Sequence, residues 1–155
     1  MGVISIGKLL VVLLAGAALL AAPAARACTP LSIYFDWNSA AVAPESRRAL
    51  EELAVRLAWH GPDLDHVLLT AHTDSSGSPA ANRLMAQRRA EAVRDVLLSN
   101  HVPARLIRIR SLGERAPAVR TPANAREPAN RRVDLILQLS AGAQGVHLAE
   151  GRPLC

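Results

Sequence analysis

The stretch HTDSSGSP, residues 72–79, joins a predicted strand to a predicted long helix. The apolar run at residues 66–70 just before it is typical of a buried strand. Ser78 followed by Pro79 is a helix-start signal, because the serine side chain caps free backbone amides and the proline has its φ preset for the first turn. The pattern therefore predicts a helix over residues 80 to about 100.

This predicted helix has an inward stripe that contains a charged residue. Apolar residues recur along it at three- and four-residue spacing, namely Met85, Ala92, Val93, Val96 and Leu97. Asn82 and Arg89 lie on the same stripe. An inward guanidinium is costly unless an anion meets it, and Asp74 is the nearest acid in sequence. We therefore expect Asp74 and Arg89 to form a partly buried ion pair at the mouth of a pocket.

The remaining segments predict a two-layer α+β domain. A first strand lies near residue 33, and a helix begins at Pro44 and ends at Gly61-Pro62. Two later strands, at residues 106–110 and 132–139, alternate apolar and polar residues, which indicates a sheet covered on one face. The predicted order is βαβαββ, with two helices on one face of a mixed four-stranded sheet. The Pro-, Ala- and Arg-rich residues 116–130 are expected to form a long surface loop.

Four motifs agree in order and spacing with one known family. They are TDSSG at residues 73–77 with NRLMAQRRAEAV at 82–93, IYFDWNS at 33–39, LGERAP at 112–117 and NRRVD at 130–134. Together they resemble the OmpA-like peptidoglycan-binding domains, over residues 33 to about 139. Met85 and Ala86 stand where that family normally has Leu and Ser, and Ser111 stands where a Gly is usual.

The resemblance implies non-catalytic binding of peptidoglycan through the meso-diaminopimelate of the stem peptide. Asp74 would accept the ligand ammonium, and Arg89 would bind the carboxylate on the same carbon through two parallel hydrogen bonds. The other ligand-binding residues implied are Asn38, Thr73, Asn82, Arg131 and Arg132. Of the two adjacent arginines one must point away, because neighbouring strand residues face opposite sides.

A second hypothesis is an envelope protein-interaction domain of the same fold that does not bind the wall. The expected partners are peptidoglycan and, alternatively, another envelope protein. The expected location is the periplasm or cell envelope of a Gram-negative-type bacterium. Attachment to a membrane is expected only if Cys28 is lipidated or the leader stays uncleaved, and association with the outer membrane is an alternative location.

Residues 1–27 are interpreted as a signal peptide. A positive charge at Lys8, an apolar run over residues 9–22 and a small-x-small site at 25–27 are typical of such a segment. The apolar run is shorter than the roughly 20 residues that span a bilayer. An uncleaved anchor and lipidation of Cys28 are the alternatives, and the basic residue beside the cut disfavours lipidation.

The mature chain is expected to be one domain, residues 28–140, with a Gly-rich tail at residues 141–155. Its two cysteines, Cys28 and Cys155, stand at its two ends. In an oxidising periplasm such a pair favours a disulfide, which would stabilise the fold by at most about 4–5 kcal/mol. Two unpaired thiols, one of them lipidated, are the alternative.

Charge and motif content argue against several other functions. Removing residues 1–27 takes away two basic residues and lowers the net charge from +5 to +3. The few aromatic residues are not interleaved with basic ones, as stacking on nucleic acid requires, so we expect no nucleic-acid binding.

Catalysis and metal binding are not expected either. His72, Asp74, Ser75 and Ser76 are residue types found in hydrolase sites, but there is no Gly-x-Ser-x-Gly elbow and the histidine and serine flank one tight turn. The histidine spacings fit no zinc motif, and the turn lacks the Gly-Lys-Ser/Thr of a nucleotide loop. We therefore expect no enzyme activity, no metal and no cofactor.

Overall fold

The computed structural model describes residues 31–59, 64–140, 146–147 and 153–154. The predicted signal peptide, both cysteines of the predicted disulfide and the expected end of the first helix lie outside these residues. The domain boundaries at residues 28 and 140 stay a prediction.

The described chain forms a four-stranded sheet with two long helices. The strands are β1 (Leu31–Tyr34), β2 (Leu64–His72), β3 (Ile107–Gly113) and β4 (Arg132–Leu139), and the helices are α1 (Pro44–Trp59) and α2 (Pro79–Ser99). Short 3-10 turns at Ala104–Leu106 and Pro128–Asn130 precede β3 and β4. The strand order is β1-β4-β2-β3, with β2 and β3 parallel and β4 antiparallel to both of its neighbours. The predicted α+β class and the βαβαββ order are confirmed.

A second, two-stranded sheet lies within residues 141–155, which we expected to form a Gly-rich tail. Its strands are β5 (Val146–His147) and β6 (Pro153–Leu154), which pair antiparallel.

Helix α2 begins as the sequence predicts. Ser78 is the N-cap, and its Oγ accepts a hydrogen bond from the Ala81 amide at 3.2 Å. The centre of the inward stripe differs from the prediction. The fully buried positions there include the small residues Ala86 and Ala90, while Met85 is only half-buried. Small side chains there let the helix lie close to the sheet. The same close approach explains Gly113, since a Cβ there would lie 3.2 Å from the Arg83 amide nitrogen and its φ is +58°.

The core lies between the sheet and the helices. It is built from the inner side chains of β1, β2 and β4, namely Ile33, Val67, Leu69, Ala71, Val133, Leu135 and Leu137, and from the facing stripes of α1 and α2. Burying each of its larger aliphatic side chains contributes about 2 kcal/mol. Among the described residues, no helix is long and apolar enough to cross a bilayer.

The carboxyl ends of β1, β2 and β3 and the start of β4 lie together at one edge of the sheet, the edge that runs across the strand direction. The carboxyl ends of β2 and β3 meet there because the two strands are parallel, and the start of β4 joins them because Arg132 pairs with Tyr34 at the end of β1. The turn at residues 72–79 leaves from this edge and leads into α2. The fold thus brings four separate parts of the sequence together at one place.

Candidate functional site

A cavity of about 360 Å³ opens at this edge of the sheet. Six of the seven residues predicted to bind the ligand line it, namely Asn38, Thr73, Asp74, Asn82, Arg89 and Arg131. The seventh, Arg132, lies outside it. The sequence prediction of these residues as a ligand-binding set stays a prediction, but the fold does bring the six together.

Arg89 is the most deeply buried charged residue at the cavity, with 1% of its surface exposed. Its guanidinium donates to three backbone carbonyls: Nε to Ser39 at 2.9 Å, Nη1 to His72 at 3.3 Å and Nη2 to Asp36 at 3.0 Å. It also lies over the ring of Phe35, 5.3 Å from the centroid. The side chain therefore ties the loop after β1 to the end of β2.

Arg89 stays charged at neutral pH in spite of this burial. Desolvation and, next, the nearby charge of Arg131 lower its pKa to about 10, and the charge of Asp74 opposes them. A guanidinium has five N–H donors, and three of them are used by the backbone carbonyls. One N–H on each terminal nitrogen remains for a ligand.

The prediction that Asp74 forms an ion pair with Arg89 is wrong. Asp74 is 3% exposed and pairs with Arg131, whose Nη1 donates to its Oδ2 at 3.1 Å. Its Oδ1 accepts from the hydroxyl of Ser76 at 2.6 Å and from the Ser76 amide at 3.3 Å. The physical reason is that β4 runs antiparallel beside β2, so Arg131, just before β4, lies next to the turn that follows β2. The carbonyls around Arg89 already satisfy much of its hydrogen bonding.

Arg132 points to the other face of the sheet and pairs there with Asp134. Its Nε donates to both carboxylate oxygens at 3.0 and 3.1 Å. Ser32 donates to the same carboxylate at 2.6 Å, and His72 Nε2 lies 3.4 Å from it. Burial alone would raise the pKa of Asp134, but the hydrogen bonds from His72 and Ser32 and the charge of Arg132 outweigh burial and hold that pKa below its ordinary value.

Three polar residues complete the walls of the cavity. Asn38 stands in a left-handed conformation with φ of 53°, which asparagine tolerates better than most residues. The amide of Asn82 donates to Glu114. Thr73 is 2% exposed, and its hydroxyl has no hydrogen-bond partner among the described residues. A buried hydroxyl without a partner carries a desolvation cost, so this one is available to a ligand.

Sequence reasoning missed a second group of lining residues, namely Trp37, Ser76, Asn124 and Arg126. The guanidinium carbon of Arg126 lies 3.7 Å from the centroid of the Trp37 ring, and Trp37 Nε1 donates to Ser76 Oγ at 3.2 Å. Trp37 belongs to the motif at residues 33–39 that includes the first strand. The strand ends at Tyr34, so the tryptophan lies in the loop that follows.

The loop at residues 116–130 is fastened to the site. Ser75 Oγ donates to the Pro122 carbonyl at 2.9 Å and accepts from the Ala125 amide at 3.1 Å. Asn130 exchanges two hydrogen bonds with the backbone of Val119, at 2.8 and 2.9 Å. These contacts hold Arg126 at the rim of the cavity. The serine-rich turn, which we weighed as a catalytic feature, is used to hold the loop and Asp74.

The chemistry of the cavity suits a zwitterionic or anionic ligand. Three arginines and one aspartate are the charged residues that line it. Within the described ranges, no group of three or more His, Cys, Asp and Glu side chains is arranged to hold a metal ion. Guanidinium forks bind carboxylates through pairs of hydrogen bonds, and a carboxylate among them binds an ammonium.

The model of the OmpA family matches residues 34–131. Outer membrane protein A of Escherichia fergusonii is 36% identical over 85 residues, which are 55% of this chain and 35% of the relative. The chain thus spans about a third of the length of that curated relative.

Solved structures agree with the family match. The peptidoglycan-associated lipoprotein from Burkholderia pseudomallei is 34% identical, with a TM-score of 0.63, over 69% of this chain and 89% of that chain. The periplasmic domain of MotB from Helicobacter pylori has a TM-score of 0.59 at 18% identity, over 70% of this chain and 71% of that chain, and shows the shared fold. From the family match and the lipoprotein together, this chain belongs to the OmpA family.

Proposed function

We propose that this protein binds peptidoglycan without catalysis, through the meso-diaminopimelate of the stem peptide, and is thereby held at the cell wall. The observation that carries the proposal is that a buried, charged guanidinium and a buried carboxylate, Arg89 and Asp74, line one cavity. The free end of diaminopimelate has an ammonium and a carboxylate on one carbon and so matches both charges.

The unused hydrogen-bonding capacity of the two residues supports this ligand. Arg89 keeps one N–H on each terminal nitrogen, which is the arrangement that the two oxygens of a carboxylate accept. A carboxylate has about four acceptor positions, and Asp74 uses three of them toward Ser76 and Arg131. The position that is left, on Oδ2, would accept the ligand ammonium.

The relatives support the same proposal and suggest the location. One solved relative is named a peptidoglycan-associated lipoprotein, and others are an outer membrane protein and a periplasmic domain. The proposed location is the periplasm or cell envelope. The proposed partner is peptidoglycan, with another envelope protein as a further partner.

The test is a pull-down of residues 28–155 with isolated sacculi. Binding should saturate, be competed by free meso-diaminopimelate, and be weaker toward walls with lysine at the third stem position. Lysine has the ammonium but lacks the carboxylate, so Arg89 would remain desolvated without an anion. Asp74→Asn should weaken binding at least about 30-fold, because removing one member of a buried charge pair costs about 2–5 kcal/mol. Asp95→Asn, the same change at an exposed residue, serves as the control.

Equal binding to both wall types, abolished by salt, would identify the contact as generic electrostatics. Absence of binding by the folded wild-type domain would favour the envelope protein-interaction hypothesis instead.

A further inference from the structure

The cavity contains more positive charge than one zwitterion can neutralise. Arg89, Arg126 and Arg131 line it together with a single acid, Asp74. The free end of diaminopimelate adds one positive and one negative charge, so its binding leaves the excess unchanged. A ligand with a second carboxylate would match the site better.

Arg126 is the arginine that the site described above does not use. Arg89 is bonded to three carbonyls, and Arg131 is paired with Asp74. Arg126 forms no ion pair or hydrogen bond with any residue in the described part of the chain. It is nevertheless held in place, because its guanidinium stacks on Trp37 at 3.7 Å.

The tryptophan under Arg126 is itself fixed to the ligand-binding carboxylate. Trp37 Nε1 donates to Ser76 Oγ at 3.2 Å, and Ser76 Oγ donates to Asp74 Oδ1 at 2.6 Å. A guanidinium stacked on an aromatic ring keeps the donors at its edge free. Arg126 is thus a preoriented planar donor at the rim, at a set position relative to Asp74.

Resting on the proposed function, we infer that Arg126 binds a second carboxylate of the same ligand, namely the main-chain carboxylate of a stem peptide that ends at diaminopimelate. In such a peptide the other carbon of diaminopimelate carries a free carboxylate. In longer stems that group is an amide and has no charge. Arg126 would therefore make the site selective for trimmed stems over extended ones.

The preference for the free carboxylate is limited in size because water reaches Arg126. Trp37 is 48% exposed, and Arg126 stacks on it at the surface. An ion pair that water still reaches is worth up to about 1 kcal/mol, which corresponds to about a fivefold change in Kd.

The experiment measures Kd by calorimetry for two synthetic peptides on the same protein. One is L-Ala-γ-D-Glu-meso-diaminopimelate with its main-chain carboxylate free, and the other is the same tripeptide with that group as a carboxamide. Wild type should prefer the free acid about fivefold, and the ratio should fall to about one in Arg126→Gln. Arg108→Gln, which removes the same charge from an exposed position on β3, should keep the fivefold ratio. Trp37→Leu keeps the charge of Arg126 but removes the ring that orients it, and should lower the ratio.

The outcomes distinguish failure of this inference from failure of the proposed function. If wild type binds both peptides equally, the role of Arg126 is overturned while the proposed function stands. If Arg126→Gln keeps the preference, or weakens both peptides alike, another group recognises the carboxylate and the inference is wrong. If the folded wild type binds neither peptide, the proposed function and this inference fail together.

Discussion

Arg131, the residue before β4, and Asp74, in the turn after β2, form a largely buried ion pair with 3.1 Å between Nη1 and Oδ2. The same arginine donates through Nε to the Phe35 carbonyl at 3.0 Å. It therefore fixes both the orientation of the Asp74 carboxylate and the start of the loop that carries Trp37 and Asn38. Arg132, one residue further on, makes its contacts on the opposite face of the sheet.

These neighbouring arginines give a matched pair of variants. Arg131→Gln should weaken sacculus binding at least about tenfold, because Asp74 loses the partner that orients it. Arg132→Gln should keep wall binding within about twofold and lower thermal stability, because it removes a charge partner of Asp134 instead. Sacculus pull-down and thermal denaturation of both variants are the measurements. Loss of binding in Arg132→Gln alone would contradict the placement of the two side chains.

Arg89→Lys should damage stability and binding together. A lysine ammonium cannot reproduce the planar fork that reaches the carbonyls of Asp36, Ser39 and His72. We expect a loss of about 2–4 kcal/mol in the free energy of unfolding and no sacculus binding at a temperature where the variant is folded. Circular dichroism during thermal and urea denaturation measures the first effect.

The control for that variant is Arg88→Lys, the same change at an exposed neighbour on α2. It should leave both stability and binding close to wild type. An Arg89→Lys protein with wild-type stability would show that the three carbonyl contacts contribute little.

Thr73→Val should weaken wall binding without lowering the free energy of unfolding. The Thr73 hydroxyl is buried without a partner in the described part of the chain, so replacing it by a methyl group removes a desolvated polar atom at nearly constant volume. The free energy of unfolding should stay equal or rise by about 1 kcal/mol, while sacculus binding should weaken severalfold. Thr73→Ser keeps the hydroxyl and should keep binding. Full wall binding by Thr73→Val would remove this hydroxyl from the site.

The lowered pKa of Asp134 predicts how the free energy of unfolding depends on pH. Its folded-state pKa lies below its ordinary value because hydrogen bonds from His72 and Ser32 and the charge of Arg132 outweigh burial. A lowered pKa means that the carboxylate stabilises the fold at pH values above the unfolded pKa of about 3.9. This stabilisation is lost as the pH falls through the lower folded-state pKa.

Asp134→Asn should therefore melt below wild type at pH 7, with the difference shrinking as the pH falls through the lowered folded-state pKa of Asp134. Thermal denaturation of both proteins across this pH range is the measurement, with Asp95→Asn as the exposed control. A difference in melting temperature that stays constant with pH would show that the charge of Asp134 is not involved.

The sequence by itself determined the main helices and strands and six of the residues that line the cavity. The Ser78-Pro79 signal and the helical periodicity set α2, because capping and amphipathic spacing are local properties. Alternation in β4 also contained the answer for the two arginines. Arg131 stands one residue before β4 and two before the buried Val133, and its side chain lines the cavity, while Arg132 faces away with Asp134.

Only the tertiary structure decided which charged groups pair. Asp74 and Arg131 are separated by 57 residues, and Trp37 and Ser76 by 39. Such contacts depend on strand order, on the antiparallel pairing of β4 with β1 and β2, and on how the loop at residues 116–130 is fastened by Ser75. Local sequence favoured Arg89 as the partner of Asp74 because it was the nearest inward cation along the chain. In the folded protein the neighbouring strand brings Arg131 closer, and backbone carbonyls from two other segments occupy Arg89.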